Sequence, residues 1–137
     1  MQVNQHRIVN IEIPFSTAHI ALARRTVAEL AKSMCFSQSQ VEDIMVAVGE
    51  ACTNAVKHGC ETETMPSIHV KCILKSKEIS VKITNHKISE RTLRIPKTPN
   101  TMNENGYGLF LMSQLMDKVR IENTDCRASV YMTKRLD

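Results

Sequence analysis

The chain has 137 residues and a formal net charge of +4, with 42% hydrophobic and 23% charged residues. This composition is typical of an ordinary globular protein, so we expect one domain over residues 1–137 rather than a disordered chain. The basic residues are scattered and the five cysteines form no CxxC pair. We therefore expect no direct nucleic-acid partner, no cysteine metal site, and free thiols in a reducing, cytoplasmic environment.

The N-terminus has no basic stretch followed by an apolar run. No run of about 18 apolar residues, the length that indicates a membrane span, occurs in the chain. We therefore expect no secretory signal peptide and no membrane partner.

The first predicted elements are a strand and an amphipathic helix. Apolar and polar residues alternate over Val9–Ile13, and Pro14 ends this strand. Ser16 or Thr17 can cap the helix that follows. Its apolar face is formed by Ile20, Ala23, Val27, Leu30, Ala31 and Met34. The opposite face is interpreted as solvated, with a dimer or partner contact as the alternative, and carries Arg24, Arg25, Glu29 and Lys32.

The longest predicted helix runs from Val41 to Gly59, which is a plausible C-terminal stop. Ser39, followed three residues later by Glu42, predicts a capping box at its start. Apolar residues recur at helical spacing and fill one face of the helix. These are Val41, Ile44, Met45, Val48, Cys52, Ala55 and Val56. The other face carries Asp43, Glu50, Asn54 and Lys57, with His58 at its edge.

Glu50 and Asn54 are four residues apart, so their side chains are neighbours on this helix. A carboxylate beside an amide oxygen can hold a hydrated Mg²⁺ ion, because this ion prefers oxygen ligands and keeps several waters. The alternative is the ordinary solvated face of an amphipathic helix.

The second half of the chain begins with two alternating segments, 68–74 and 79–84, which predict strands joined in a hairpin by the turn Lys75–Glu78. From Asn85 to Asn105 the periodicity stops, and this segment includes two prolines. We call 85–105 the irregular segment; a functional lid and a disordered insert are both consistent with it.

The residues after the irregular segment are Asn105-Gly106-Tyr107-Gly108-Leu109, and they lead into an apolar helix. Glycines allow a backbone to approach a ligand, and the N–H groups at the start of a helix attract phosphate. A flexible hinge before a helix is the alternative. Val119 and Ile121 then begin a strand, and residues 128–134 form the last one.

This order of elements predicts a two-layer α+β sandwich. Three helices cover one face of a mixed, mostly antiparallel sheet. No Walker sequence and no βαβ fingerprint is present, which disfavours a P-loop or Rossmann fold.

Three motifs, in this order along the chain, resemble the ATPase fold shared by histidine kinases, gyrase, the heat-shock 90 chaperones and the MutL proteins. The short length, with GEACTNAVKHG followed by NGYGLFLMSQLMD, is most similar to the anti-sigma-factor serine kinases of bacterial partner-switching systems. The resemblance covers nearly the whole chain. Its motifs are Glu50-x-x-x-Asn54 with His58-Gly59 on a helix, the irregular segment, and Gly106-x-Gly108-Leu109.

The resemblance implies ATP and Mg²⁺ as cofactors. It implies that Glu50 is the general base for a substrate serine and that Asn54 coordinates the Mg²⁺ that bridges the phosphates. The N–H groups of 106–109 would surround phosphate, and the irregular segment would close over the nucleotide. The residues implied in nucleotide binding are Asn54, His58, Asn85, Gly106, Tyr107, Gly108, Leu109 and Ser129.

The resemblance also implies protein partners. A kinase of this family binds a sigma factor when active and phosphorylates a small antagonist protein on serine. The unphosphorylated antagonist displaces the sigma factor, and the kinase is usually a homodimer.

The chain departs from the family pattern at three places. Asn85 stands where an Asp usually binds the adenine amino group, and Glu104 stands where many members have a basic residue. Arg127 and Ala128 replace a Gly-Thr pair, with Ser129 as a stand-in hydroxyl. The chain is therefore interpreted as an ATP-dependent serine kinase that sequesters a sigma factor, or as a non-catalytic anti-sigma or regulatory module on the same fold. Another member of the wider fold, such as part of a sensor kinase, is the remaining alternative.

Overall fold

The computed structural model of the protein describes residues 6–59, 66–86, 104–124 and 126–137, with the backbone alone at 104–106. The helices within these ranges lack the combination of length and apolar character that a membrane span requires. The strands are β1 (Arg7–Ile13), β2 (Ile68–Leu74), β3 (Glu78–His86), β4 (Lys118–Asn123) and β5 (Arg127–Arg135). The α-helices are α1 (Ile20–Ser33), α2 (Gln38–His58) and α3 (Glu104–Leu115), and a 3₁₀ turn, Thr17–His19, precedes α1.

The five described strands form one sheet in the order β1-β2-β3-β5-β4. Every neighbouring pair is antiparallel, so the expected mixed sheet is fully antiparallel over the described strands. Tight connections join β2 to β3 and β4 to β5, and such hairpins can only pair antiparallel strands. The predicted α+β sandwich is confirmed.

The three helices pack on one face of the sheet. Every second residue of a strand lies on that face, and most of these residues are apolar. Ile79, Val81 and Ile83 of β3 are at most 1% exposed. The alternate residues, which include Lys71, Lys82 and Tyr131, lie on the opposite side. We call that side the open face, and no described helix covers it.

Two cysteines belong to this core. Burial raises the pKa of the Cys52 thiol, on α2, to about 12 and that of Cys72, on β2, to about 11. Both thiols are therefore neutral near pH 7 and act as small apolar side chains.

The long helix α2 starts two residues earlier than its predicted capping box allows. The Ser37 hydroxyl accepts a hydrogen bond from the Gln40 N–H (3.1 Å), and the Gln40 Oε1 accepts one from the Ser37 N–H (3.2 Å). The predicted box of Ser39 and Glu42 is therefore wrong. Gln40 is buried and also donates to the Arg135 carbonyl on β5 (3.0 Å), a tertiary contact that local pattern does not reveal. The predicted stop at Gly59 is confirmed.

The glycine motif also differs from expectation. Helix α3 begins at Glu104, so Gly106 and Gly108 lie inside the helix instead of in a turn before it. Strand β3 continues to His86, because Asn85 and His86 pair with β5. The rest of the irregular segment, 87–103, lies outside the described residues, and with it the predicted lid.

One lysine fastens the helical layer to the sheet. The Lys134 Nζ, on β5, lies 3.3 Å from the Asp43 Oδ2 on α2 and donates to the Leu115 carbonyl at the end of α3 (2.5 Å). Its side chain is 12% exposed. A cation at the C-terminus of a helix is stabilising, and here it also links two helices.

We expect Lys134→Met to lower the free energy of unfolding by roughly 1–3 kcal/mol, because a partly buried carboxylate and a helix-terminal carbonyl lose a charged partner. Urea denaturation measures this change. Lys75→Met is the matched control, since Lys75 makes an exposed ion pair with Glu78 (3.7 Å), and pairs of this kind contribute about 0–1 kcal/mol. Equal losses in the two variants would contradict the assigned role of Lys134.

Candidate functional site

Helix α2 lies in the middle of the helical layer, in contact with both α1 and α3. Glu50, Asn54 and His58 are spaced by four residues, so they form one stripe along the C-terminal half of α2. The stripe faces α3 at one end, and at the other end Gly59, which follows His58, packs against Asn85 of strand β3.

Gly108 of α3 packs directly on this stripe. A methyl group built on Gly108 would lie 2.7 Å from the Glu50 Oε2 and 3.5 Å from the Asn54 Nδ2. Only a glycine therefore lets the Glu50 carboxylate occupy its present position against the backbone of α3. The structure thus brings three of the predicted site residues together.

This packing disfavours the alternative of an ordinary solvated face on α2. Asn54 is only 8% exposed, because α3 covers it, whereas Glu50 remains partly exposed. Asp43, on the same face, is engaged by Lys134. A buried amide beside a partly exposed carboxylate is unusual for a purely solvated helix face.

Asn85 closes the other end of the stripe. Its side chain is buried, and a methyl group built on Gly59 would lie 2.7 Å from the Asn85 Nδ2, 2.7 Å from the Phe15 ring and 2.5 Å from the Ala55 carbonyl. The Asn85 Nδ2 donates to the His86 carbonyl (3.2 Å), which leaves the Asn85 Oδ1 as the accepting atom of this amide. Phe15 was missed by sequence reasoning, because no periodicity marks a single aromatic residue between Pro14 and Ser16.

His58 carries an unusual atom. Its Nε2 is buried and makes no hydrogen bond within the described part of the chain. A buried polar atom without a partner is rare in folded proteins and calls for a specific explanation, such as a ligand. His58 lies one turn beyond Asn54, so this atom is compatible with a site on the stripe.

Ser129 lies away from these residues. It pairs with Thr84 across β3 and β5, and their hydroxyl oxygens are 2.9 Å apart. Side chains alternate along a strand, so Ser129 shares the open face with Tyr131, while Ala128 shares the helix-covered face with Asn85. The predicted role of Ser129 as a stand-in hydroxyl in the pocket is not supported by this geometry.

The glycine motif offers fewer free amides than expected. Only the N–H groups before the fourth residue of an α-helix lack intrahelical partners, and in α3, which begins at Glu104, this first turn includes Gly106 but not Tyr107. Gly108 and Leu109 lie beyond it, and the Leu109 side chain is part of the core. Tyr107 is 56% exposed.

The donor set suits a magnesium–phosphate complex better than a metal held by protein alone. No group of three His, Cys, Asp or Glu residues that could hold a metal occurs among the described residues. Mg²⁺ needs only one or two protein oxygens when phosphates and waters complete its shell. The amide oxygen of Asn54 fits that requirement.

The sequence is similar to a known family of ATPase domains and to bacterial serine-protein kinases. The model of the histidine kinase-like ATPase domain family matches residues 13–134. The chain is 30% identical over 139 residues to the serine-protein kinase RsbW of Bacillus velezensis, with 94% of this chain and 86% of that protein covered. It is 28% identical over 144 residues to RsbW of Bacillus subtilis, with 98% and 89% covered.

A solved structure agrees in fold. The RsbU and RsbW domains of a Mycobacterium tuberculosis protein superpose with a TM-score of 0.71 at 20% sequence identity. The match covers 95% of this chain but only 32% of that one, and at this identity it demonstrates the fold alone.

The contact between Gly108 and Glu50 is open to a double-mutant cycle. Alanine is favoured over glycine inside a helix by about 1 kcal/mol, but at position 108 its methyl group displaces the Glu50 carboxylate. We expect Gly108→Ala to be more favourable for stability in a Glu50→Ala background than in wild type, with a coupling of about 0.5–1 kcal/mol in urea denaturation. The control cycle pairs Gly108→Ala with Glu42→Ala, an exposed carboxylate of α2, and should be additive; additivity in both cycles would contradict the contact.

Proposed function

The chain belongs to the histidine kinase-like ATPase domain family, and we propose that it is an ATP- and Mg²⁺-dependent protein serine kinase that also sequesters a sigma factor. The observation that carries this proposal is the packing of Gly108 on Glu50 and Asn54. It joins the two motifs of the resemblance in one place. The names of the RsbW relatives support the same class of activity.

In this proposal Asn54 and the first turn of α3 form the phosphate end of the site. The Asn54 amide oxygen would hold Mg²⁺, and the N–H groups at the start of α3, up to that of Gly106, would donate to phosphate oxygens. Bound ATP would supply the transferable phosphoryl group, with Mg²⁺ neutralising its charge. Phosphoryl transfer depends mainly on positioning and charge stabilisation, so this small set of groups suffices.

Glu50 is proposed as the general base. Its carboxylate is held against α3 at Gly108 yet remains partly exposed, so a serine hydroxyl of a second protein can approach it. The carboxylate would accept the hydroxyl proton as the serine oxygen bonds to the γ-phosphorus of ATP, while the bond from that phosphorus to the bridging oxygen breaks and ADP leaves.

Asn85 is proposed to receive the base of the nucleotide at the other end of the stripe. Because the Asn85 Nδ2 is engaged by the His86 carbonyl, the Asn85 Oδ1 can accept a hydrogen bond from an amino group. The substitution of Asn for the usual Asp therefore keeps the acceptor that an adenine amino group requires. The buried His58 Nε2 is a further group near this region that a ligand would satisfy.

The proposed partners are a sigma factor, an antagonist protein carrying the substrate serine, and a second copy of the chain in a homodimer. Arg24, Arg25 and Lys32 are exposed on α1, which keeps this helix available for such contacts. Lys32 is engaged only by Glu29 of its own helix among the described residues, in an exposed pair (3.3 Å).

The second candidate function is a binding module without kinase activity. It is favoured by Glu104, an acidic residue where many members of the family have a basic one, and by the orientation of Ser129, which points away from the stripe. Such a protein would bind its partner without regard to ATP and Mg²⁺.

Nucleotide binding separates the two candidates. We expect calorimetry to detect Mg²⁺-dependent ATP binding that Asn54→Ala weakens roughly tenfold or more, about 1.4 kcal/mol, because an Mg²⁺ ligand is lost. Asn10→Ala is the control, since it removes an amide on the open face, and it should leave the affinity unchanged. A millimolar Kd corresponds to a binding free energy of only about −4 kcal/mol. If no binding is detected at about millimolar ATP, the binding module becomes the better interpretation and the kinase is rejected.

The role of Glu50 requires a transfer assay with the antagonist protein as phosphoacceptor. We expect Glu50→Gln to lower the transfer rate by about 10²–10⁴, the usual contribution of a general base, while ATP affinity stays near that of wild type. Glu42→Gln removes an exposed carboxylate of the same helix and should retain full activity. Full transfer activity in Glu50→Gln would contradict the proposed role of Glu50 as the general base.

A further inference from the structure

The open face of the sheet carries a row of cationic side chains that the proposed function does not use. The register of the strands places Lys71 opposite Lys82, Lys82 opposite Tyr131, and Tyr131 opposite Arg120. We call these four residues the basic row. It crosses β2, β3, β5 and β4, and with strands about 4.8 Å apart it spans roughly 14 Å.

Tyr131 holds two members of the row in place. The Lys82 Nζ lies 5.0 Å from the centre of the Tyr131 ring, and the Arg120 guanidinium carbon lies 4.6 Å from it. Cation–π contacts of this length hold a cation over an aromatic ring without cancelling its charge. Lys82 and Arg120 are therefore held in place before any partner arrives.

Within the part of the chain that the structure describes, few carboxylates neutralise the charge of the row. Neither Lys71 nor Lys82 forms an ion pair with a described carboxylate, although Arg120 contacts Glu122 (3.3 Å). The other acidic residues of the open face are engaged elsewhere, Glu12 by His69 (3.5 Å) and Glu78 by Lys75 (3.7 Å). Two like charges directly opposite each other across strands are destabilising, and this arrangement invites an anion from outside the chain.

We propose that the open face is a docking surface for an acidic helix of a protein partner, whose carboxylates meet Lys71, Lys82 and Arg120. Side chains four residues apart on a helix are about 5–6 Å apart, close to the spacing of strands in a sheet. A helix with acidic residues at that interval, laid across the strands, brings carboxylates within reach of the three cations of the basic row, Lys71, Lys82 and Arg120. Because the stripe of Glu50 and Asn54 lies on the other side of the sheet, docking here leaves it accessible.

Two other occupants fit less well. Single-stranded nucleic acid binds sheet faces by stacking bases on aromatic rings, and Lys82 and Arg120 already occupy the Tyr131 ring. A second copy of the chain in a twofold interface brings the same patch onto itself, and this would set one basic row against another.

A labelled synthetic helical peptide with glutamate at every fourth position is the probe, and its glutamine counterpart is the reference ligand. We expect fluorescence anisotropy to detect binding of the glutamate peptide to the full chain, weakened by salt and absent for the glutamine peptide. The triple variant Lys71→Gln, Lys82→Gln, Arg120→Gln should lower the affinity at least about tenfold, since three ion pairs are lost. The control Arg25→Gln, Lys32→Gln, Lys77→Gln changes the net charge equally outside the open face and should lower it less than about twofold.

An equal loss in the control variant would reveal attraction by net charge alone and overturn the proposal. Tighter binding of oligo(dT) than of the glutamate peptide would overturn it in favour of nucleic acid. A dimer in sedimentation that only the triple variant abolishes would overturn it in favour of a second copy.

The variant Lys71→Glu distinguishes an effect on peptide binding from an effect on the stability of the fold. It converts a like-charge pair with Lys82 into an opposite-charge pair, so the melting temperature should rise by roughly 1–4 °C while affinity for the glutamate peptide falls. A variant that melts lower than wild type would contradict the strained arrangement of Lys71 and Lys82. If Lys71→Glu binds the glutamate peptide as tightly as wild type, Lys71 is not part of the docking surface.

Discussion

The close approach of α3 to α2 at Gly108 is the constraint on which the site depends. Because position 108 has no side chain, the carboxylate of Glu50 lies against the backbone of α3 and the amide of Asn54 is covered. A larger residue there would displace the carboxylate, the most movable group in contact with it. The lack of a side chain at Gly108 thus allows the glycine motif to contact the Glu50–Asn54 motif, which lies more than 50 residues earlier in the chain.

Contacts at the ends of α2 and α3 that lie away from Gly108 fix how closely the two helices approach each other. Lys134 holds the C-terminal carbonyl of α3 and a carboxylate of α2, while Gln40 anchors the start of α2 to β5. The sheet therefore sets the distance between the two helices, and the helices in turn position the stripe. At the other end of α2, Gly59 lets Asn85 and Phe15 approach the helix terminus.

The two faces of the sheet differ in chemistry because side chains alternate along each strand. One face buries apolar residues and Asn85 beneath the helices, whereas the other displays Lys71, Lys82 and Tyr131. A single-residue shift in register would exchange these roles. The same alternation removes Ser129 from the stripe and assigns it to the open face, where it bonds to Thr84.

The strands, the helices and the α+β class follow from periodicity, because apolar residues must repeat with the period of the element that buries them. The positions of Glu50 and Asn54 on one helical stripe follow for the same reason. The true capping box at Ser37 and Gln40 and the burial of Asn54 do not follow, since Gln40 is also held by β5 and Asn54 is covered by α3. The sequence by itself determined which residues share a face of each element; only the tertiary structure decided which faces meet, because that depends on packing between segments far apart in the chain.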